Sequence, residues 1–130
     1  MYVLDTSSVS YFLKGKGRVA DRLLAQPVSS VAVPAVVLYE LEYGAGRSDA
    51  PARIKLGLAR LLEALRILPF GEAEARSAAR IRLALDRSGT PIGPLDVLIG
   101  ATAVEHGAVL VTHNTREFSR IEGLRVEDWY

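Results

Sequence analysis

Short runs of aliphatic and β-branched residues, Tyr2–Leu4, Val28–Val33, Ile67–Phe70, Ala108–Val111 and Leu124–Val126, alternate along the 130-residue chain with longer stretches of helical period. With connections this short, such a chain closes a core by laying its strands side by side and carrying the helices across both faces in right-handed crossovers. The expectation is therefore a three-layer α/β/α fold around a mostly parallel sheet. The length and the roughly half-apolar composition suit one domain spanning 1–130.

The first run is the most informative. Tyr2-Val3-Leu4 stops abruptly at Asp5 and three hydroxyl residues, Thr6-Ser7-Ser8, as a buried strand does where it meets a helix N-terminus. Ligands in open α/β sheets bind in the crevice beyond the carboxyl ends of the strands, so Asp5 stands where a site is expected. Further along, a short helix is predicted over Val9–Leu13, a break at Lys14–Gly17, and a second helix to about Gln26. Pro34 opens a helix through Tyr43 with Gly44 as its stop, and Gly44–Pro51 reads as a turn. Helices follow over Ala52–Leu65 and from Glu72 to about Ser88, and the Glu127–Tyr130 tail reads as solvated. Pro94 and Gly107 bound a stretch that is apolar all round, hence an interior helix, with Asp96 in its first turn. There the helix dipole favours an ionised carboxylate by about 0.3–1 kcal/mol. The Ala108–Val111 run again ends in a polar cluster, Thr112-His113-Asn114-Thr115-Arg116-Glu117.

Composition narrows the chemistry. With no cysteine there are no disulfides and no thiolate metal sites, and the two histidines, His106 and His113, are too few and too far from metal-ligand spacing for zinc. No apolar run reaches the roughly 18 residues of a membrane span and Asp5 breaks the first one, so the chain reads as soluble and cytoplasmic. Neither a phosphate-binding G-x-x-x-x-G-K-[ST] loop nor a G-x-S-x-G elbow occurs. Thirteen of the sixteen basic residues are arginine, which suits phosphate and also simply favours helices.

The acids that resist a surface explanation are Asp5, Glu40, Asp96 and Glu117. Singly, each has a structural use: Asp5 as an N-cap, Asp96 as a dipole partner, Glu40 on a helix surface, Glu117 in a turn. Glu40 and Glu42 stand two apart on one helix, so at most one of them faces inward. Carboxylates gathered in one crevice repel unless a cation intervenes, and their oxygens suit Mg²⁺ or Mn²⁺. A divalent site made by Asp5 and Asp96, with Glu40 and Glu117 beside it, favours phosphodiester hydrolysis. Ser7, Thr112 and Asn114 are candidates to bind the substrate phosphate or the attacking water.

Val3-Leu4-Asp5-Thr6-Ser7, Tyr39-Glu40-Leu41-Glu42-Tyr43-Gly44, Ile92-Gly93-Pro94-Leu95-Asp96-Val97, Leu110-Val111-Thr112-His113-Asn114-Thr115-Arg116-Glu117-Phe118 and the closing Gly123-Leu124 and Asp128-Trp129 together resemble the PIN-domain ribonucleases of the VapC toxin type. The resemblance spans the chain in the family's order. It implies a metal-dependent endoribonuclease cutting structured RNA, with a lean toward the anticodon stem-loop of transfer RNA. It also implies a homodimer inhibited by a small VapB-like antitoxin. Asp5, Glu40 and Asp96 match the family's three main acids, and Thr112 and Asn114 its polar loop; where many relatives carry aspartate, this chain offers Glu117. Two other readings fit the same residues: a catalytically silent PIN-like module that binds RNA or protein, and a metal-dependent DNA nuclease or phosphatase.

Overall fold

A computed structural model describes residues 1–130. Five parallel strands, β1 (Tyr2–Leu4), β2 (Val31–Pro34), β3 (Arg66–Leu68), β4 (Val109–Val111) and β5 (Arg125–Glu127), lie in the order β3-β2-β1-β4-β5. The chain builds outward from β1 to β3, then returns to the other side of β1 for β4 and β5. That reversal is a topological switch point, and it falls at the β1–β4 seam. There Leu4 registers with Val111, so the residues that follow, Asp5 and Thr112, are neighbours at the carboxyl edge.

Helices α1 (Thr6–Lys14), α2 (Val19–Leu24), α3 (Ala35–Arg47) and α4 (Ala52–Ala64) connect the first three strands, and α1 packs on the other three. Helices α5 (Glu72–Arg87) and α6 (Pro94–Glu105) pack against each other and return the chain to β4; α7 (Thr115–Phe118) leads to β5. The core is the sheet's own apolar residues, Val3, Leu4, Val33, Leu68 and Leu110 all fully buried, closed by Val9, Val37, Ile99 and Phe118 from the helices. Removing a side chain such as Leu68 to alanine would cost about 2–5 kcal/mol. No helix is long and apolar enough to cross a membrane.

Several boundaries differ from expectation, each for a physical reason. α1 begins at Thr6, not Val9, because Asp5 caps it: Oδ1 accepts the Ser8 N–H at 2.8 Å. α3 runs through Gly44 and Gly46 to Arg47, since both glycines face open space and keep helical backbone. Val28–Ser30 forms a 3₁₀ turn, Ser30 donating to the Pro27 carbonyl at 2.7 Å, so β2 starts only at Val31. β3 lies at Arg66–Leu68, before Pro69. The tail is solvated only in part: Asp128 and Tyr130 are exposed, but Trp129 is buried, its ring 5.0 Å from that of Tyr2 and beneath the Arg22 guanidinium at 5.4 Å. Its Nε1 donates to Glu127, which Arg22 also bridges.

Candidate active site

Asp5 is buried at the end of the central strand. It is at once the helix cap and the floor of the crevice. Burial pushes its pKa up; the Thr112 hydroxyl and the Ser8 donors pull it back, and Glu40 pushes it up again. The seam beneath is knit by the Asp5 N–H and the Ser8 hydroxyl, both donating to the Val111 carbonyl at 3.2 and 3.0 Å, and by Thr112 N–H donating to Glu127 O at 2.9 Å.

Asp96 stands in the first turn of α6, half-buried, where Pro94 opens the helix. Its pKa is raised to about 6, first by burial and then by repulsion from Glu40, Asp5 and Glu117. Those repulsions locate the constellation: acids 21 or more residues apart in sequence lie within electrostatic reach of Asp96. Of the two acids on α3, Glu40 is the half-buried one and Glu42 is exposed. Thr6, from the first turn of α1, donates to Glu40 Oε1 at 2.6 Å. Glu117 accepts from Asn114 Nδ2 at 2.9 Å, and the Asn114 N–H is held by Thr112 Oγ1 at 3.0 Å.

The candidate ligand-binding residues divide. Ser7 and Asn114 are exposed on this edge, but Thr112 is fully buried. Its hydroxyl is engaged by Asp5 and by the Asn114 N–H, which makes it a link between the two. Sequence reasoning missed Thr6 and Ser8. The signal for Ser8 was present, because an N-cap carboxylate accepts from the residue two or three positions on. Thr6 depends on α1 and α3 meeting, which no local pattern reveals.

The donor set is wholly carboxylate and hydroxyl oxygen, which fits a hard divalent ion and not zinc or copper. No three carboxylate or imidazole groups stand close enough to enclose a single ion in this structure; the cluster is open, and drawing it together requires compensating charge. His106 is the C-cap of α6, at the opposite end of that helix from Asp96, with Nε2 buried and unpaired.

The PIN domain family model matches residues 2–124. The tRNA(fMet)-specific endonuclease VapC of Salmonella typhimurium is 36% identical over 128 residues, 98% of this chain and 97% of that protein. Ribonuclease VapC2 of Haemophilus influenzae is 34% identical over 128 residues, with 98% and 97% covered. Among solved structures, the DNA-bound VapBC from Salmonella typhimurium superposes with a TM-score of 0.90 at 36% identity, covering 99% of this chain and 98% of the other. VapBC-5 from Mycobacterium tuberculosis, a member of the VapBC family of toxin-antitoxin systems, gives 0.68 at 28% identity, covering 97% and 94%. With its acids gathered at the sheet's switch point and its whole length matched, the chain belongs to the PIN-domain family, in its VapC branch.

Proposed function

We propose that this protein is the toxin of a VapBC-type module, an endoribonuclease that hydrolyses phosphodiester bonds in structured RNA, with transfer RNA the favoured substrate. The observation that carries this reading is the electrostatic convergence of Asp5, Glu40, Asp96 and Glu117 at the β1–β4 switch point. The similarity to relatives named as tRNA(fMet)-specific endonucleases supports the choice of RNA. The chain acts as a single nuclease domain over 1–130, in the cytoplasm.

In this reading Asp5 and Asp96 hold a divalent cation, Mg²⁺ with Mn²⁺ as substitute, and Glu40 and Glu117 complete the acidic wall. Such an ion, when bound, polarises the scissile phosphate and lowers the pKa of the attacking water. The chain's own residues do the rest. Thr6 and Asn114 fix the carboxylates of Glu40 and Glu117, Thr112 holds Asp5, and Ser7 and Asn114 face the substrate from the rim. Asp96, held up to about 6 by burial and by its acidic neighbours, gives up its proton when it takes the cation.

Two surfaces support partners. A groove of about 290 Å³ between α1, α3 and α4, lined by Leu13, Leu41, Ala45, Ile54 and Leu58, opens beside Glu40 and suits an apolar segment of an antitoxin. On α3, Tyr39 and Tyr43 are exposed and stacked, with Arg47 over Tyr43, a patch suited to the homodimer. Val37 and Leu65, by contrast, are buried in the core. Incubating the protein with transfer RNA, DNA and small phosphate esters in the same Mg²⁺ buffer tests the reading. Cleavage confined to RNA, and lost in Asp5→Asn, is expected; cleavage of DNA or esters alone, or an undiminished Asp5→Asn, contradicts it.

A further inference from the structure

One residue past Thr112, the chain leaves the acids and enters a cluster of rings that the catalytic reading does not use. His113 and Tyr130 stack with centroids 4.3 Å apart and planes 23° from parallel. Tyr11, from α1, closes the side as an edge, 5.9 Å from His113 and 4.9 Å from Tyr130. Asp128 clamps the pair, Oδ2 at 2.9 Å from His113 Nδ1 and Oδ1 accepting the Tyr130 N–H at 2.9 Å. Gly17, at φ 62°, seats Tyr130: a Cβ there would lie 2.5 Å from the Tyr130 carbonyl carbon. The same turn carries exposed Lys14, Lys16 and Arg18.

This arrangement buries little for packing. The His113 side chain is 46% exposed and Tyr130 is 48% exposed, so two rings are held in fixed register without being removed from water. Stacked rings open to solvent and flanked by cations match what an unpaired nucleobase requires: a π-face to lie on and positive charge for the neighbouring phosphates. A paired base has both faces covered within its duplex. The place is also specific. His113 lies between Thr112, which holds Asp5, and Asn114, which holds Glu117, so a base on this stack belongs to a nucleotide flanking the bond at the acids.

We propose that Tyr11, His113 and Tyr130 form a base-stacking subsite that takes an unpaired nucleobase next to the scissile phosphate. It selects looped over fully duplex RNA. The proposal rests on the nuclease reading for its consequence in cleavage, but not for binding.

Two measurements separate the two. In steady-state cleavage of a hairpin RNA with Mg²⁺, His113→Ala combined with Tyr130→Leu is expected to raise KM about tenfold or more, with kcat changed less than about twofold. Tyr130→Phe keeps the ring and is expected to keep the KM. An unchanged KM in the double variant overturns the subsite while leaving the nuclease intact. Separately, in EDTA, a hairpin carrying a fluorescent adenine analogue at successive loop positions is titrated with the unaltered protein. Quenching at one loop position, lost in the double variant and kept in Tyr130→Phe, supports the subsite even if no RNA is cut; absence of quenching at every position overturns it.

Discussion

Two clusters share the carboxyl edge of the sheet and differ in kind. Asp5, Glu40, Asp96 and Glu117 are like charges brought together, one of them buried and another lifted to about 6 by desolvation and its neighbours. Tyr11, His113, Asp128 and Tyr130 satisfy one another through ring contacts and two 2.9 Å hydrogen bonds. Burial acts against ionised Asp128, yet the Tyr130 N–H and the His113 ring outweigh it and hold its pKa low. In one cluster the fold works against its own stability, and in the other it does not. Unrelieved repulsion marks where chemistry is placed, and mutual satisfaction marks where a ligand is only held.

The largest effect expected from this contrast is at Asp96. Asp96→Asn should lower RNA cleavage by about 10²- to 10⁴-fold, the loss of several kcal/mol at the reacting centre. The same change should raise the melting temperature of the metal-free protein at neutral pH. Discounted for the solvent-open half of the side chain, relief of the repulsion is on the order of 1 kcal/mol, or about 3–5 °C by calorimetry. Asp128→Asn should move melting the other way. A destabilised Asp96→Asn would break the comparison.

The pH dependence follows with opposite signs. Folded Asp96 holds its proton more tightly than the unfolded chain does, so its contribution is most favourable below about pH 4 and declines as pH rises to about 6. Asp128 contributes above the unfolded pKa, and that contribution is lost on acidification. Melting curves of wild type and Asp96→Asn should therefore coincide near pH 4 and separate toward pH 6. A constant gap would assign the effect to packing.

A smaller effect is expected at Thr6, which positions Glu40. Thr6→Val removes one donor to a charged group and should lower kcat about tenfold with KM unchanged, while Thr6→Ser restores it. Smallest is the seam on which both clusters stand. Ser8→Ala deletes the bond to Val111 O, which keeps the Asp5 N–H, and should cost about 1 kcal/mol in denaturant melts while slowing cleavage less than Thr6→Val.

What could be read from the sequence was what local chemistry dictates. A β-branched run ending at Asp5, a proline opening α6 two residues before Asp96, and the alternation of periods were enough for the sheet, its carboxyl edge and the acids on it. What stayed hidden depends on contacts between distant elements. Gly44 looks like a stop because glycine is a poor helix former, yet α3 is carried past it as Leu41 and Val37 anchor one face in the core. The charged tail looks solvated until Trp129 finds Tyr2 and Arg22. The burial of Thr112 and its link to Asp5 appear only once its strand is placed beside β1.

The central claim is that the repelling acids share a site for a divalent cation. Calorimetric titration of Mn²⁺ into the metal-free protein at neutral pH, in parallel with Asp96→Asn, tests it most directly. Saturable binding to the unaltered chain, weakened about tenfold or more in the variant, is the predicted result; no binding, or equal binding by both, would contradict it.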